Sequence, residues 1–543
     1  MKKTVITIIL SLAAAAAYAQ SANDAYMFSE NQYEGTARTM AMGNAFTALG
    51  GDLGSISINP AGSAVANYSQ FTITPSLTFT TSTAEGNPLP GSSNRPDYFQ
   101  NKVTSKTSNT GLTNVGFTFN WETGRKSGLK NISFGLVSNQ TNTWKGEVNA
   151  NGTNATTSFM GAVANTATLC GYTGTDLGAE DAFSFMPWRE VAAFQSGMIS
   201  NFGDRDDYFV GASEAIDQDP ETGVYNIYLA GPIRQSFNRN VDGNKRDLVL
   251  NFGGNISDFI YFGANLGFTT ISYSENWYLT EEAIDPNDFT FDIGDGETMA
   301  FKKMKYSYGY WTEGSGVYGK FGAIVTPGNG LRIGAAIQTP TVTTMNETWT
   351  EDGETTFSTG NYNSYSPYGD AQYIVSSPLR ANFGLAYTYG GLGLISVDYE
   401  MADYSQMKYD TGNADRTYFE EINQDIRSRY GISHMLRAGL EVKPLPAVSV
   451  RAGYTLTTSA EKLDSWGNPL AGQNIQTASF GLGYSSKNSF FVDAAVQTRF
   501  LNKEYFMPYE DYTDEVGNII EYAPEIVVNR SLWKAVITLG WRF

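Results

Sequence analysis

Apolar and polar residues alternate with a period of two along most of this chain, most regularly in its last stretch, Ser531 to Phe543. One face of that stretch is apolar and consists of Trp533, Ala535, Ile537, Leu539, Trp541 and Phe543. The other face is mostly polar and consists of Lys534, Val536, Thr538, Gly540 and Arg542. A period of two predicts a long strand. Because an exposed edge strand of this kind would aggregate in water, we expect it to close a barrel whose apolar face meets lipid.

Similar alternating segments follow one another from Tyr68 onwards and are joined by connections of two lengths. Short turns containing Gly, Pro, Asn or Ser lie near 123–130, 253–258, 327–330, 390–391, 444–446 and 485–488. Long connections lie at roughly 83–111, 146–230, 277–313, 349–371, 410–426, 461–474 and 504–527. Together they join fourteen strands, an even number. Short turns on one side and long loops on the other are typical of a bacterial outer-membrane barrel.

The two faces of the predicted strands differ in charge. One face carries almost no charge, as at Leu331, Ile333 and Ile337, and we expect it to face lipid. The other face carries charges of both signs, namely Arg332, Arg380, Asp398, Glu400, Arg437, Glu441, Arg451, Asp493 and Arg499. The inward arginines either bind a carboxylate head group or form internal salt bridges. Several Trp residues lie near predicted strand ends, either in interfacial girdles or in ordinary packing: Trp121, Trp144, Trp277, Trp349 and Trp541.

The first 66 residues lack this alternation. Residues 1–19 read as a signal peptide, with Lys2 and Lys3 before an apolar run and a small-x-small cleavage site at 17–19. In residues 20–66, Thr36 to Leu49 predicts a helix that ends at a glycine pair. Asn59-Pro60-Ala61 predicts an N-cap followed by a short turn. We expect residues 20–66 to fold as a plug inside a barrel formed by residues 67–543.

Composition excludes several classes of function. The net charge of −19 argues against nucleic acid, which requires clustered Lys and Arg. The single cysteine, Cys170, excludes a disulfide framework, and with one histidine, His434, we expect no metal site and no cofactor. His434 shares the parity of the lipid-facing Leu436 and Leu440 and has no evident serine partner. We therefore expect no catalytic site and no enzyme.

Residues Glu34 to Ala64, EGTARTMAMGNAFTALGGDLGSISINPAGSA, resemble the N-terminal hatch of the FadL/TodX family of outer-membrane hydrocarbon transporters. Asn59, Pro60 and Ala61 match that family's hatch motif, within similar Gly-Thr-Ala-Arg, Met-Gly and Gly-Gly-Asp spacing. Softer matches along the barrel include 331–340, 378–387, 397–405 and 450–454. The chain departs from the family in the longer outer loop at 146–230.

The resemblance implies passive transport of a long-chain fatty acid or a similar hydrophobic molecule across the outer membrane of a Gram-negative bacterium. In that family the ligand is caught among outer loops, held in the lumen and released laterally when the hatch moves. The terminal Phe543, with Trp541, resembles the signal that barrel-assembly machinery recognises. The expected partners are the ligand, outer-membrane lipid and that machinery, with the barrel a monomer.

An apolar segment in the longest outer loop, Phe183 to Ile199, is the candidate for ligand capture. Its apolar residues are Phe183, Phe185, Trp188, Val191, Phe194 and Met198. They form either a capture surface for an acyl chain or a small core that only orders the loop. The alternative functions for the whole chain are an adhesin or structural barrel, and a porin for other solutes.

Overall fold

The protein is a closed antiparallel β-barrel of fourteen strands. The computed structural model describes residues 21–89, 98–218, 225–294, 296–412, 418–463, 474–486, 489–500 and 503–543. The predicted signal peptide at 1–19 lies outside the described residues. The predicted strand number is confirmed, with short turns at one end of the barrel and long connections at the other.

The barrel strands are numbered in chain order, and two of them are interrupted. They are β1 (Gln70–Gly86), β2 (Val103–Glu122), β3 (Leu129–Asn154), β4 (Ile233–Ile256), β5 (Ile260–Ala283), β6 (Glu297–Gly328), β7 (Leu331–Gln338 with Val342–Phe357), β8 (Gly369–Ser376 with Arg380–Tyr389), β9 (Gly393–Asp403), β10 (Ile432–Leu445), β11 (Val448–Thr458), β12 (Asn474–Ser485), β13 (Phe490–Phe500) and β14 (Ile526–Arg542). The strands β3 to β7 extend well beyond the length that a bilayer requires, so much of the predicted connection at 277–313 is strand.

Further elements lie in the plug and in the outer connections. The α-helices are α1 (Ala22–Ser29), α2 (Ala37–Ala41), α3 (Phe159–Cys170), α4 (Gly174–Leu177), α5 (Trp188–Gln195) and α6 (Glu420–Arg429). The 3-10 helices are Leu53–Ser57, Pro60–Val65, Ala182–Ser184, Pro286–Phe289 and Tyr404–Gln406. Short outer strands are Ile199–Phe202, Arg205–Gly211, Glu214–Gln218, Tyr225–Leu229, Thr290–Gly294, Asn361–Tyr365, Lys408–Asp410, Glu504–Phe506, Tyr512–Thr513 and Ile519–Glu521. Among the described residues, no helix is both long enough and apolar enough to cross a membrane.

The predicted difference between the two faces of the wall is confirmed. Outward side chains form an apolar band around the barrel, for example Phe119, Leu250, Phe383, Leu440 and Phe480. Inward side chains of the same strands are polar and buried. A closed antiparallel barrel with an outward apolar band is the architecture of bacterial outer-membrane proteins, which agrees with the location expected from the sequence.

The tryptophans divide between the two faces. Trp121 and Trp541 are exposed in the outward band, as a girdle requires. Trp144, Trp277 and Trp349 instead pack against rings at the outer end of the barrel, namely Tyr273, Tyr306 and Trp188. The girdle interpretation is therefore wrong for these three, because the wall there rises above the bilayer and its aromatic residues serve an internal core.

The last strand closes the barrel against the first, as predicted. Residues of β14 pair antiparallel with β1, with Trp541 opposite Phe71 and Trp533 opposite Phe79. The pairing continues past the strand end, because Phe543 N–H donates to Ser69 O and Ser69 N–H donates to Phe543 O, each at 3.0 Å. The ring of Phe543 stacks on Phe117 of the neighbouring β2, with centroids 5.9 Å apart. Phe543 thus completes the seam with both its backbone and its ring.

The helix predicted for Thr36 to Leu49 is much shorter in the structure. It covers only Ala37–Ala41, because Gly43 and Asn44 adopt left-handed backbone angles, with φ of 60° and 58°. Residues of L configuration rarely adopt that region except glycine and asparagine. The chain turns there so that it can follow the inner wall, which a continuous helix could not do.

We expect that deleting Phe543 impairs assembly of the barrel, because the deletion removes two backbone hydrogen bonds and a ring contact from the closing seam. The measurement is the fraction of outer-membrane protein that migrates as a compact, heat-modifiable species on SDS gels. Phe543→Tyr, which keeps the ring and the backbone, is the matched control and should assemble normally. Full assembly of the deletion variant would contradict a role for this residue.

Candidate functional site

The lumen contains the N-terminal segment, residues 21–66, in contact with the inner wall. Helix α1 lies toward the outer end among aromatic side chains. Tyr26 stacks on Tyr430 at 4.9 Å and meets Tyr404 edge-on at 5.0 Å, while Phe28 contacts the rings of Trp144 and Tyr273. The helix thus occupies an aromatic-lined compartment inside the barrel.

Polar groups of the wall hold the two ends of α1. At its start, Ser21 and Asp24 form a capping box, and Tyr409 Oη donates to Ser21 O at 2.8 Å. At its end, Lys245 Nζ donates to the carbonyl oxygens of Phe28 and Glu30, both at 2.9 Å. Arg380 donates to Ser29 O at 2.6 Å. Cations at the C-terminus of a helix satisfy its free carbonyls and complement its dipole, so α1 is fixed at this end by cationic side chains of the wall.

The predicted motif Asn59-Pro60-Ala61 joins the plug to the barrel wall. Asn59 Oδ1 accepts from Ala61 N–H at 3.1 Å, which is the expected N-cap of Pro60–Val65. Asn59 Nδ2 lies within hydrogen-bond distance of Thr47 O in the plug, at 2.7 Å. The same nitrogen lies 3.1 Å from Ala323 O of β6 and 3.3 Å from Ala335 O of β7. One buried amide thus links two parts of the plug with two adjacent strands.

Inward-facing glycines let the plug backbone approach the wall. A methyl group at Gly322 of β6 would overlap the side-chain oxygen of Asn59, and one at Gly263 of β5 would overlap the carbonyl of Pro60. By contrast, Gly319 of β6 faces outward and has room for a methyl group, with its nearest neighbour at 3.8 Å. The close approach therefore depends on which face of the strand the glycine occupies.

Most inward arginines are engaged in ion pairs or hydrogen bonds. Glu441 of β10 accepts from Arg38 of the plug at 2.9 Å and from Arg451 of β11 at 2.6 Å. Glu400 of β9 pairs with Arg437 at 3.0 Å and Arg380 at 3.4 Å. These pairs confirm the salt-bridge alternative for three of the five inward arginines, namely Arg380, Arg437 and Arg451.

The two other inward arginines have different surroundings. Arg332 Nε donates to Ala48 O of the plug at 3.0 Å. Arg499 of β13 has no hydrogen bond or ion pair within the described part of the chain. The plug is also paired directly with β14, because Glu34 lies 2.5 Å from Lys534 Nζ. At the level of the plug, the expected wet lumen is instead filled and dry.

The longest outer connection folds into a cap with an apolar core. Within that core Phe159, Val163, Val191 and Met198 are almost completely buried, together with rings from the outer ends of the strands such as Phe301. Of the candidate capture residues, Val191 and Met198 therefore lie inside the core, and Phe183 and Phe194 pack against it. Trp188 Nε1 donates to Phe183 O at 2.7 Å, and Phe185 remains 54% exposed. The structure thus brings these residues together as a core with one exposed ring at its edge.

A carboxyl group in the cap lacks a cationic partner. Glu214 accepts a hydrogen bond from Gly211 N–H at 2.7 Å and lies against Gly161 of α3 and the Tyr512 hydroxyl. No described cation lies within salt-bridge distance of it. Burial raises the pKa of Glu214 to about 7, because ionisation there costs solvation free energy without a compensating charge. The packing of α3 against this strand is thereby linked to pH.

Neither metal binding nor histidine chemistry has support. Across the described residues, no group of three or more His, Cys, Asp or Glu side chains is placed to hold a metal ion. His434 lies exposed on the outer face, as predicted, and its Nδ1 is 2.7 Å from the Tyr399 hydroxyl. The ring stacks on Tyr399, which is an ordinary surface contact.

Comparison with known proteins supports the fold. No family model and no curated protein matches this chain. The structure is similar to that of the toluene transporter TodX of P. putida, at 13% identity and a TM-score of 0.50, covering 94% of this chain and 99% of that chain. It is also similar to a Pseudomonas aeruginosa FadL homologue, at 11% identity and a TM-score of 0.52, covering 94% and 98%. The FadL/TodX-type fold expected from the plug motif is confirmed.

Two parts of the site were missed in the sequence. Helix α1 was not predicted, although Ser21 followed three residues later by Asp24 is a capping-box signal. The contact glycines were seen only as parts of strands. Their inward parity, shared by Gly263 and Gly322 with polar neighbours, was a usable signal for close approach of a second segment.

The pKa of Glu214 predicts a pH-dependent cap. Because that pKa is raised from 4.5 in the folded protein, the stabilisation is fully present below pH 4.5 and is lost as pH rises through about 7. We expect amide exchange in α3, corrected for intrinsic rates, to accelerate by on the order of tenfold between pH 5 and 8. Glu214→Gln, which cannot ionise, should show no such change. Equal pH responses in both proteins would contradict the assignment.

Proposed function

We propose that this protein transports long-chain fatty acids or similar hydrophobic molecules passively across the outer membrane. In this proposal the outer loops capture the ligand, the aromatic-lined lumen holds it, and movement of the plug releases it laterally into the membrane. The observation that carries the proposal is α1, a small helix held by polar contacts at its ends within an aromatic compartment of a plugged barrel. When α1 is displaced, that compartment becomes a binding site for an apolar chain.

The balance of contacts around the plug favours movement over permanent closure. Apolar residues of α1, including Ala25 and Phe28, contact rings of the wall, and a ligand of similar polarity can replace those contacts. The ends of α1 depend on hydrogen bonds that Lys245, Arg380 and Tyr409 can also make to water or to a ligand. The deeper plug, from Arg38 to Val65, is fixed by ion pairs and by Asn59. We therefore assign ligand exchange to α1 and gating to the deeper segment.

A diffusion porin for polar solutes is a weaker alternative. A porin needs a continuous aqueous path, whereas the described plug fills the lumen with buried side chains and direct contacts to the wall. The similar structures support transport of hydrophobic compounds, since one of them is a toluene transporter. An adhesin or structural role predicts that neither fatty acids nor aromatic hydrocarbons bind the purified barrel. Binding measurements with both classes in lipid nanodiscs decide between these functions.

The capture role is assigned to the exposed edge of the cap core. Phe185 is exposed beside Phe183 and Trp188, whose rings meet edge-on at 5.8 Å, and Trp188 lies 5.5 Å from Trp349 of β7. These rings lead from the surface of the cap to the wall at the outer end of the barrel. An acyl chain adsorbed at Phe185 would thus reach the lumen along an aromatic path.

Gating by the deeper plug predicts that loosening its contact with β6 changes uptake. In Gly322→Ala the new methyl group displaces Asn59, and in Asn59→Ala the cap of Pro60–Val65 is lost, at a cost of about 1 kcal/mol. We expect uptake of a labelled fatty acid by whole cells to rise about fivefold in both variants, which is the population change for that free energy. Gly319→Ala, on the outward face of the same strand, is the matched control. Unchanged uptake in assembled Gly322→Ala and Asn59→Ala would overturn the gating role.

Capture at the cap edge predicts a second effect. Phe185→Ser removes an exposed ring without opening a cavity, so the barrel and the cap should stay folded. We expect the rate of fatty acid binding to cells at low ligand concentration to fall about threefold, because about 2 kcal/mol of apolar contact is removed from a weak first site. Tyr368→Ser, at a similarly exposed ring in another outer loop, should bind normally. Equal rates in the two variants would show that the cap edge does not capture ligand.

A further inference from the structure

A small polar cavity lies in the lumen between the end of α1 and the strands β8 to β13. It encloses about 60 Å³ and its lining includes Tyr26, Glu30, Tyr404, Arg437, Gln497 and Arg499. One water requires about 10–15 Å³ measured in this way, so the cavity has room for a carboxylate and a few waters. It has no room for an acyl chain. The size therefore suits a head group whose tail lies elsewhere.

Arg499 is the unusual member of this lining. Its side chain is 9% exposed, and it extends from β13 between Thr477 of β12 and Leu532 of β14. It makes no hydrogen bond or ion pair within the described part of the chain. A guanidinium carries five N–H donors, and leaving a buried charge without partners is costly. Every other inward arginine that the sequence singled out has a protein acceptor.

The charges around the cavity leave a surplus of one cation. Three guanidinium groups line it, those of Arg380, Arg437 and Arg499, together with the carboxylates of Glu30 and Glu400. Glu400 is already shared by Arg380 and Arg437. Glu30 faces the same space and is not within salt-bridge distance of Arg499. A monovalent anion bound to Arg499 would complete the balance.

The cavity also adjoins the aromatic compartment that α1 occupies. Tyr26 of α1 and Tyr404 line the cavity and belong to the aromatic contacts of that helix. A head group at Arg499 would therefore have its tail beside α1, in the space that the helix vacates when it moves. An anionic amphiphile has the two-part chemistry that this arrangement requires, and a neutral hydrocarbon lacks the part that Arg499 needs.

We infer that Arg499 is the anchor of a carboxylate subsite, so that the lumen selects long-chain monocarboxylates over neutral hydrocarbons of equal length. This inference rests on the proposed function, because it specifies the ligand class of the same lumen. Arg380 contributes as a positioning residue, since it joins the cavity to Ser29 O at the end of α1. Binding of the head group is thereby coupled to the contact that fixes the helix.

The test measures equilibrium binding of dodecanoate and 1-dodecanol to the full-length barrel in lipid nanodiscs at pH 8. In the wild-type protein we expect dodecanoate to bind more tightly than 1-dodecanol. Arg499→Gln should weaken dodecanoate binding roughly tenfold or more, the typical value of a charged hydrogen bond, and leave 1-dodecanol unchanged. Arg499→Lys, which keeps the charge, should retain most of the preference. Arg234→Gln, an exposed arginine at the outer end of β4, is the matched control for charge.

Each other result has a distinct meaning. If the wild-type protein binds both probes equally and Arg499→Gln changes neither, the carboxylate subsite is wrong and the transport proposal stands. If Arg499→Gln weakens both probes equally, Arg499 supports the lumen structurally and the subsite is again wrong. If neither probe binds the heat-modifiable wild-type barrel, the proposed function fails and the inference fails with it.

Discussion

Satisfaction of backbone hydrogen bonds in lipid is the constraint on which this structure depends. A sheet that crosses a bilayer cannot leave an edge open, because each unpaired N–H or C=O group would cost several kcal/mol. The chain meets the constraint by pairing β14 with β1 over the full length of both strands and by extending the ladder to Ser69 and Phe543. Once the wall is closed, alternation assigns every second side chain to lipid and every other one to the lumen.

Closure creates a second problem, because fourteen strands enclose more space than inward side chains can fill. The N-terminal segment solves it with two kinds of contact. Near Asn59 the plug backbone approaches the wall at glycines, where no side chain intervenes. Elsewhere charged residues of the plug, such as Arg38 and Glu34, pair with single charges of the wall. Such buried pairs are costly to break one at a time, so they determine the position of the plug more than they add to its stability.

The outer end of the barrel follows a different logic, since it stands in water. There the strands β3 to β7 rise above the membrane and turn aromatic side chains inward, where the cap covers them. Apolar residues that would signal a binding surface in isolation, such as Val191 and Met198, are consumed by this core. What remains for a ligand is the edge of the core at Phe185 and the compartment beneath it that α1 fills.

Alternation and loop length in the sequence were sufficient for the barrel, its strand number, its two faces and the closing pair. These features repeat every two residues or every hairpin, so they are local properties of the chain. The short motif Asn59-Pro60-Ala61 likewise indicated its own cap and the type of fold. The sequence did not determine the end of helix α2 at Ala41, the place of α1, or the inward role of Trp144, Trp277 and Trp349. Each of these depends on which surface lies opposite, and only the folded barrel brings those surfaces together. The same holds for the arginines: all five share inward parity, and only the tertiary structure provides acceptors for four of them and a cavity for Arg499.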